Sequence, residues 1–175
     1  MSSSAWLDAA LQNLSRAGDV GRATADYLSA RKTPIRFRSI SPAAGAMWFL
    51  GGTISINARY FSPADVENPR LLSLLVHEAR HLQQGPLVAL SVYGELDAWQ
   101  LDFRFQKSIS GAFPSPVIEE LCALPLVFER PVLQKARALM IQYAGKGYRV
   151  DLLPLFPLPR EIVWRLNYLR RVATL

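Results

Sequence analysis

The chain has two histidines, and both fall in one run, Leu71-Leu72-Ser73-Leu74-Leu75-Val76-His77-Glu78-Ala79-Arg80-His81-Leu82-Gln83-Gln84-Gly85. On an α-helix, positions i and i+4 share a face one turn apart, so His77 and His81 can offer two imidazole nitrogens to one metal ion. Glu78 is turned about 100° round the axis, which lets its carboxylate reach a metal-bound water instead of the metal. Zinc suits this donor set: it accepts neutral imidazole, keeps an open position and brings the pKa of its water towards 7. With two His and seven Glu in 175 residues, shuffling reproduces the pattern roughly once in two thousand trials.

Two histidines leave a tetrahedral zinc one protein ligand short, and a carboxylate must supply it. The acidic residues soon after the Gly85-Pro86 reversal are Glu95, Asp97 and Asp102. His81 lies four residues before the turn, about 6 Å of helix, so an antiparallel neighbour brings in its ligand after a similar rise. With Gly85 to Leu90 as the connection and a helix starting at Ser91, that position is Glu95. Asp97 lies about 200° further round and points away unless the register differs. It can instead orient a histidine from behind. Asp102 is nearly two turns beyond Glu95 and is the poorer ligand.

The elements that must position these groups follow from periodicity and punctuation. Leu71, Leu74, Leu75, Val76 and Leu82 give the histidine helix apolar faces that hold both rings rigidly. It begins near Arg70, after turn and capping chemistry at Ser62-Pro63-Ala64-Asp65 and Asn68-Pro69. Upstream, residues 4–31 repeat apolar side chains at helical spacing, with a break possible at Gly18 and Gly21. Residues 34–40, 46–50 and 53–57 read as short strands joined through Pro42, Gly45 and Gly51-Gly52, a small, mostly antiparallel sheet. Downstream come helices over about 91–108, 117–124 and 131–144, closed by Gly145-Lys146-Gly147. A proline-rich connector over 152–159 leads to a last amphipathic helix from Arg160 to about Val172. The fold class is α+β, as one domain over 1–175, with a core near 34–108 and a helical extension over 109–175.

Composition limits the setting. Half of the residues are hydrophobic, enough for a substantial core. The net charge is +6, the pI is near 9.8, and arginine outnumbers lysine about four to one. Basic residues are scattered, which argues against a nucleic-acid partner. The basic end, Arg160, Arg165, Arg170 and Arg171, reads as a solvated helix face, with contact to nucleic acid or an acidic protein as the alternative. Cys122 is the single cysteine, so no internal disulfide forms, and a reducing compartment is the simpler expectation. The first residues lack a basic region followed by an apolar one, and no apolar run reaches membrane-spanning length. The expectation is therefore a cytoplasmic protein without a membrane span.

His77-Glu78-Ala79-Arg80-His81 followed by Glu95-Leu96-Asp97-Ala98 resembles the HExxH and downstream E-x-x-A arrangement of gluzincin metallopeptidases. The likeness is to compact forms, the minigluzincins and the ImmA/IrrE-like peptidases, and covers about residues 34–108. It implies a zincin-like fold in which a helix precedes a small sheet, an edge strand lies above the metal, and an active-site helix and a glutamate helix follow. It further implies that His77, His81 and Glu95 bind Zn2+ and that Glu78 is the general base. The interval from His81 to Glu95 is short for that family, and the residues after Ser108 follow no pattern of it.

The function expected is peptide-bond hydrolysis by a zinc-dependent metallopeptidase, through a water activated by Glu78, on a peptide or protein substrate. An extended substrate would pair with residues 53–57. Tyr60, Tyr93, Tyr148 and Arg149 are possible donors to an oxyanion, none of them assigned. Arg80 lies on a face away from the metal and reads as a solvated side chain, with pairing to a carboxylate as the alternative. The alternative is a non-catalytic interaction or regulatory module on the same scaffold.

Overall fold

The computed structural model describes residues 3–173, and the side chains of 5–168. The side chains of Arg170 and Arg171, in the basic end, lie outside the described residues. The architecture is α+β: eight α-helices and one three-stranded sheet among the described residues.

The opening segment is two helices, α1 (Ser3–Arg16) and α2 (Asp19–Ala30). Gly18 breaks the chain at φ 100°, a conformation that suits glycine. Gly21 then lets α2 close on α1, because a Cβ there would stand 2.1 Å from the Leu14 carbonyl oxygen.

β1 (Ile35–Arg38), β2 (Ala46–Trp48) and β3 (Ile54–Asn57) follow, in the spatial order β1-β3-β2. β2 turns through Gly51-Gly52 onto β3 as an antiparallel hairpin, whereas β1 pairs with β3 in parallel. The sheet is thus mixed, not mostly antiparallel. Two reversals leave β1 and β3 running the same way, and β3 enters between the earlier strands. All four β3 residues are buried and both of its edges are occupied, so an extended peptide cannot pair along 53–57. The free edge beside the histidine helix belongs to β2.

α3 (Pro69–Gln84) starts where the Asn68 side chain accepts from the Arg70 amide at 2.9 Å, and it ends at Gly85. A short helix not foreseen from the sequence, α4 (Pro86–Ala89), fills the reversal. Ser91 then caps α5 (Val92–Ser110), its Oγ accepting from Gly94 N at 3.0 Å. Gly94 makes this turn compact: a Cβ would meet the Val88 carbonyl oxygen at 2.2 Å. α5 consequently folds back along α3. The chain continues through α6 (Pro116–Ala123), α7 (Arg130–Ala144), 3-10 turns at Lys146–Tyr148 and Val150–Leu152, and α8 (Leu158–Ala173).

Apolar burial falls in two clusters. Trp6, Leu14, Leu28, Ile54, Ile56 and Leu75 join α1, α2, the sheet and α3. Leu96, Phe103, Ile118, Leu121, Leu133 and Met140 join α5, α6 and α7. α5 serves both, since its Phe105 packs in the first cluster. With each fully buried Leu or Phe contributing about 1.5–3 kcal/mol, α5 is clamped on both sides, which fixes Glu95 against α3. No helix among the described residues is long and apolar enough to cross a membrane.

Candidate metal centre

α3 and α5 bring His77, His81 and Glu95 to one point, their ligand atoms all within 4.8 Å of one another. His77 Nε2 and His81 Nε2 are 3.0 Å apart, and they stand 3.9 and 3.4 Å from Glu95 Oε2 and Oε1 respectively. A tetrahedral ion bound at about 2.0–2.1 Å needs donors about 3.3 Å apart. The spacing fits.

The proton positions on the rings support the same reading. Gln84 Nε2 donates to Gly94 O at 3.0 Å and to Asp97 Oδ2 at 2.8 Å, so the Gln84 amide oxygen must be the end that faces His81 Nδ1 at 3.0 Å. That oxygen can only accept, which assigns the His81 proton to Nδ1 and the lone pair to Nε2. His77 Nδ1 is buried, has no hydrogen-bond partner among the described residues and looks at Asp102 Oδ2 from 3.7 Å. With its proton on Nδ1, facing that carboxylate, His77 would turn a second lone pair to the shared locus; with the proton on Nε2 it donates to His81 Nε2 at 3.0 Å. In the first arrangement two lone pairs face one another beside a carboxylate, a repulsion that a cation between them would relieve. Burial holds the His77 pKa well below its ordinary value, helped by His81 and Arg70. The ring is therefore neutral, as a metal ligand must be.

Asp102 is not a ligand. It is buried, and its two oxygens take Arg70 Nη1 at 3.1 and 3.0 Å. Burial raises its pKa while Arg70 opposes the rise. The Arg70 guanidinium in turn lies 5.1 Å from the Phe103 ring centroid. Asp97 is not a ligand either, and acts on His81 only through Gln84. Arg80 proves not to be merely solvated: its Nε donates to Asp97 Oδ2 at 2.8 Å, closing a chain from Arg80 through Asp97 and Gln84 to His81.

Glu78 is buried and lines the same cleft as the ligands. In the metal-free protein its pKa is raised to about 8, first by burial and then by Glu95, while the Trp48 backbone amide pulls it down. The cleft, about 270 Å³, has β2 residues Ala46, Met47 and Trp48 on one wall and Tyr148 and Arg149 on the other.

Tyr148 is the participant that the sequence left open. Its hydroxyl donates to Glu95 Oε2 at 2.6 Å and accepts from Trp99 Nε1 at 2.9 Å. Burial, followed by Glu95, raises its pKa well above the usual tyrosine value. The other candidate tyrosines stand elsewhere: Tyr60 donates to Pro42 O, and Tyr93 stacks on Phe128. Helical spacing was a usable signal for some neighbours. Gln84 is three residues after His81, Trp99 four after Glu95 and Asp102 seven after Glu95. For Tyr148, 53 residues from Glu95, no local pattern existed.

No known protein family, curated protein or solved structure gives a significant match to this chain.

Proposed function

We propose that the chain is a zinc-dependent metallopeptidase on a zincin-like scaffold, hydrolysing peptide bonds in a peptide or protein substrate. The observation that carries the reading is the convergence of two imidazole nitrogens and one carboxylate beside the buried Glu78, in a cleft walled by a free strand edge. His77, His81 and Glu95 are the residues that would hold the ion. Bound there, zinc would supply Lewis acidity to a water and to the scissile carbonyl.

The chain's own residues do the rest. Glu78 takes the proton of the attacking water and hands it to the leaving amine, a role worth about 10²–10⁴-fold. An extended substrate pairs its main chain with the open edge of Ala46–Trp48. Among the donors considered for the tetrahedral oxyanion, Tyr148 and Arg149 line the cleft, and since the Tyr148 hydroxyl proton goes to Glu95, Arg149 is the one that serves. Gln84 and Asp102 hold the two rings from behind, fixing tautomer and aim.

The test is zinc content by plasma mass spectrometry for the purified protein and its Glu78→Gln form, with cleavage of an unfolded protein such as casein assayed for both. One zinc per chain in both, and cleavage at least 10²-fold slower in the variant, is the expected result. Absence of zinc from the parent, or equal cleavage by the two, would sink the reading.

A further inference from the structure

The last helix is built with its apolar side out. α8 reaches the body through Glu161, which is buried, and Trp164, which is half-buried and carries the Arg130 guanidinium 4.2 Å from its ring centroid. On its other side Leu158, Ile162 and Leu166 are 47, 50 and 52 % exposed, with Val163 at 57 %. At about 100° per residue, Leu158, Ile162 and Leu166 fall within about 80° of arc and form one continuous ridge. A surface helix ordinarily turns such a ridge inward.

Beside the ridge, between α7 and α8, is a hollow of about 540 Å³ whose lining includes Leu152, Leu158 and Ile162 together with Arg130, Arg137 and Arg165. Its two acids are partly engaged: Glu161 Oε1 takes Arg165 Nε at 2.9 Å while its Oε2 is buried with no hydrogen-bond partner among the described residues, and Asp151 Oδ1 lies 3.9 Å from Arg149 Nε. Arg137 gives one Nη2 hydrogen bond to the Leu153 carbonyl, and its Nε is buried with no partner. Burial and the neighbouring Arg130 disfavour the Arg137 charge, while Asp151 and Glu161 favour it. The hollow therefore carries three guanidinium groups against two carboxylates, with Arg137 Nε lacking a hydrogen-bond partner among the described residues, next to an exposed apolar ridge.

We propose that α8 and this hollow form a docking surface for an anionic lipid bilayer, with the ridge entering the acyl boundary and the hollow taking a lipid phosphate. An amphipathic helix with an apolar face and a basic remainder lies in the plane of such an interface. Charge selects this occupant over a second copy of the chain. α8 carries Arg160, Arg165, Arg170 and Arg171 against Glu161 alone, so ridge-to-ridge pairing would set two strongly basic helices side by side, whereas anionic headgroups neutralise them.

The experiment is co-sedimentation of the full chain with vesicles of phosphatidylcholine alone and of equimolar phosphatidylcholine and phosphatidylglycerol. Binding to the mixed vesicles only is expected. Ile162→Glu should reduce it at least tenfold, and Arg130→Gln or Arg137→Gln about fivefold each, as expected for roughly 1 kcal/mol per basic residue. Ile162 is exposed, so its variant should keep the parent circular dichroism, and that spectrum serves as the folding control. Failure to bind the mixed vesicles, equal binding to pure phosphatidylcholine, or indifference to Ile162→Glu would overturn the proposal. So would full competition by inorganic phosphate at constant ionic strength, which would make the hollow a site for free phosphate. A dimer in solution that Ile162→Glu dissociates, without vesicle binding, would give the ridge to a second copy.

Discussion

α3 and α8 are each 16 residues long and each amphipathic, yet they meet their surroundings in opposite ways. α3 is enclosed by α2, α5 and β2, and even its polar His77, Glu78 and His81 are buried. α8 touches the body along a narrow line and shows its ridge to the outside. The difference teaches that amphipathic spacing reports a helix and its stripe, but not which side faces in. That depends on what the rest of the chain brings to either side. α3 is flanked by partners supplied from both directions of the sequence, whereas the described part of α8 has the body on one side only.

The largest expected effect that sharpens the contrast is in α3. Leu75 is fully buried in the first cluster. Leu75→Ala should cost about 3 kcal/mol, from lost burial plus the cavity left behind. Urea unfolding with a lowered midpoint and unchanged slope checks it.

Next comes the charge that α3 buries. In the metal-free protein Glu78 titrates at about 8 against 4.5 for an ordinary glutamate. Between those values the folded state keeps a proton that the unfolded state has released, so stability falls as pH rises. Over pH 6.5 to 8 the fall should be roughly 2 kcal/mol, at 1.36 kcal/mol per unit. Below pH 6.5 the unfolded state also gains a proton at His77 that the folded state refuses, and the two slopes offset. Denaturant unfolding of chelator-treated protein should show the slope, and Glu78→Gln should flatten it. A stability that rises from pH 6.5 to 8 would contradict the buried, protonated Glu78.

Behind α3, Asp102 positions His77 without touching the metal locus. Asp102→Asn removes the charge that faces His77 Nδ1 and takes the carboxylate partner from Arg70. Zinc affinity should fall about tenfold, within the range found for partners behind metal-bound histidines. Competition with a chromogenic chelator reads it, and Asp97→Asn should cost less, because Asp97 acts through Gln84.

How much of this could be read from the residues differs along the same line. The histidine helix, its Asn68 cap and Glu95 on the returning helix were readable because they rest on local spacing and a short turn. The helices after Ser108 were also placed within a few residues, since prolines and glycines punctuate them. Sheet order was not readable: the alternation in residues 34–57 fixes strands but not neighbours, and β3 inserts between β1 and β2. For Arg80 the residues leave a solvated and a carboxylate-paired reading open, because its partner, Asp97, lies across a turn whose register only packing sets. Tyr148 reaches Glu95 from a 3-10 turn far along the chain, and only the packing of α7 against α5 brings it there.

The smallest expected effect makes the comparison sharpest. Ile162 sits on a helix of the same length as Leu75's and belongs to an equally regular stripe, but half of it already faces water in the folded state. Truncation removes little that folding had buried, and it opens no cavity. Ile162→Ala should therefore change stability by less than about 0.5 kcal/mol, against about 3 for Leu75→Ala. If the two substitutions cost the same in urea unfolding at low protein concentration, α8 is packed against something in the folded chain, and its ridge is no free surface. If the cost at Ile162 is small when the protein is dilute and grows with concentration, the ridge is buried by self-association. A small cost at every concentration leaves the ridge free for a bilayer, where the same isoleucine should matter most.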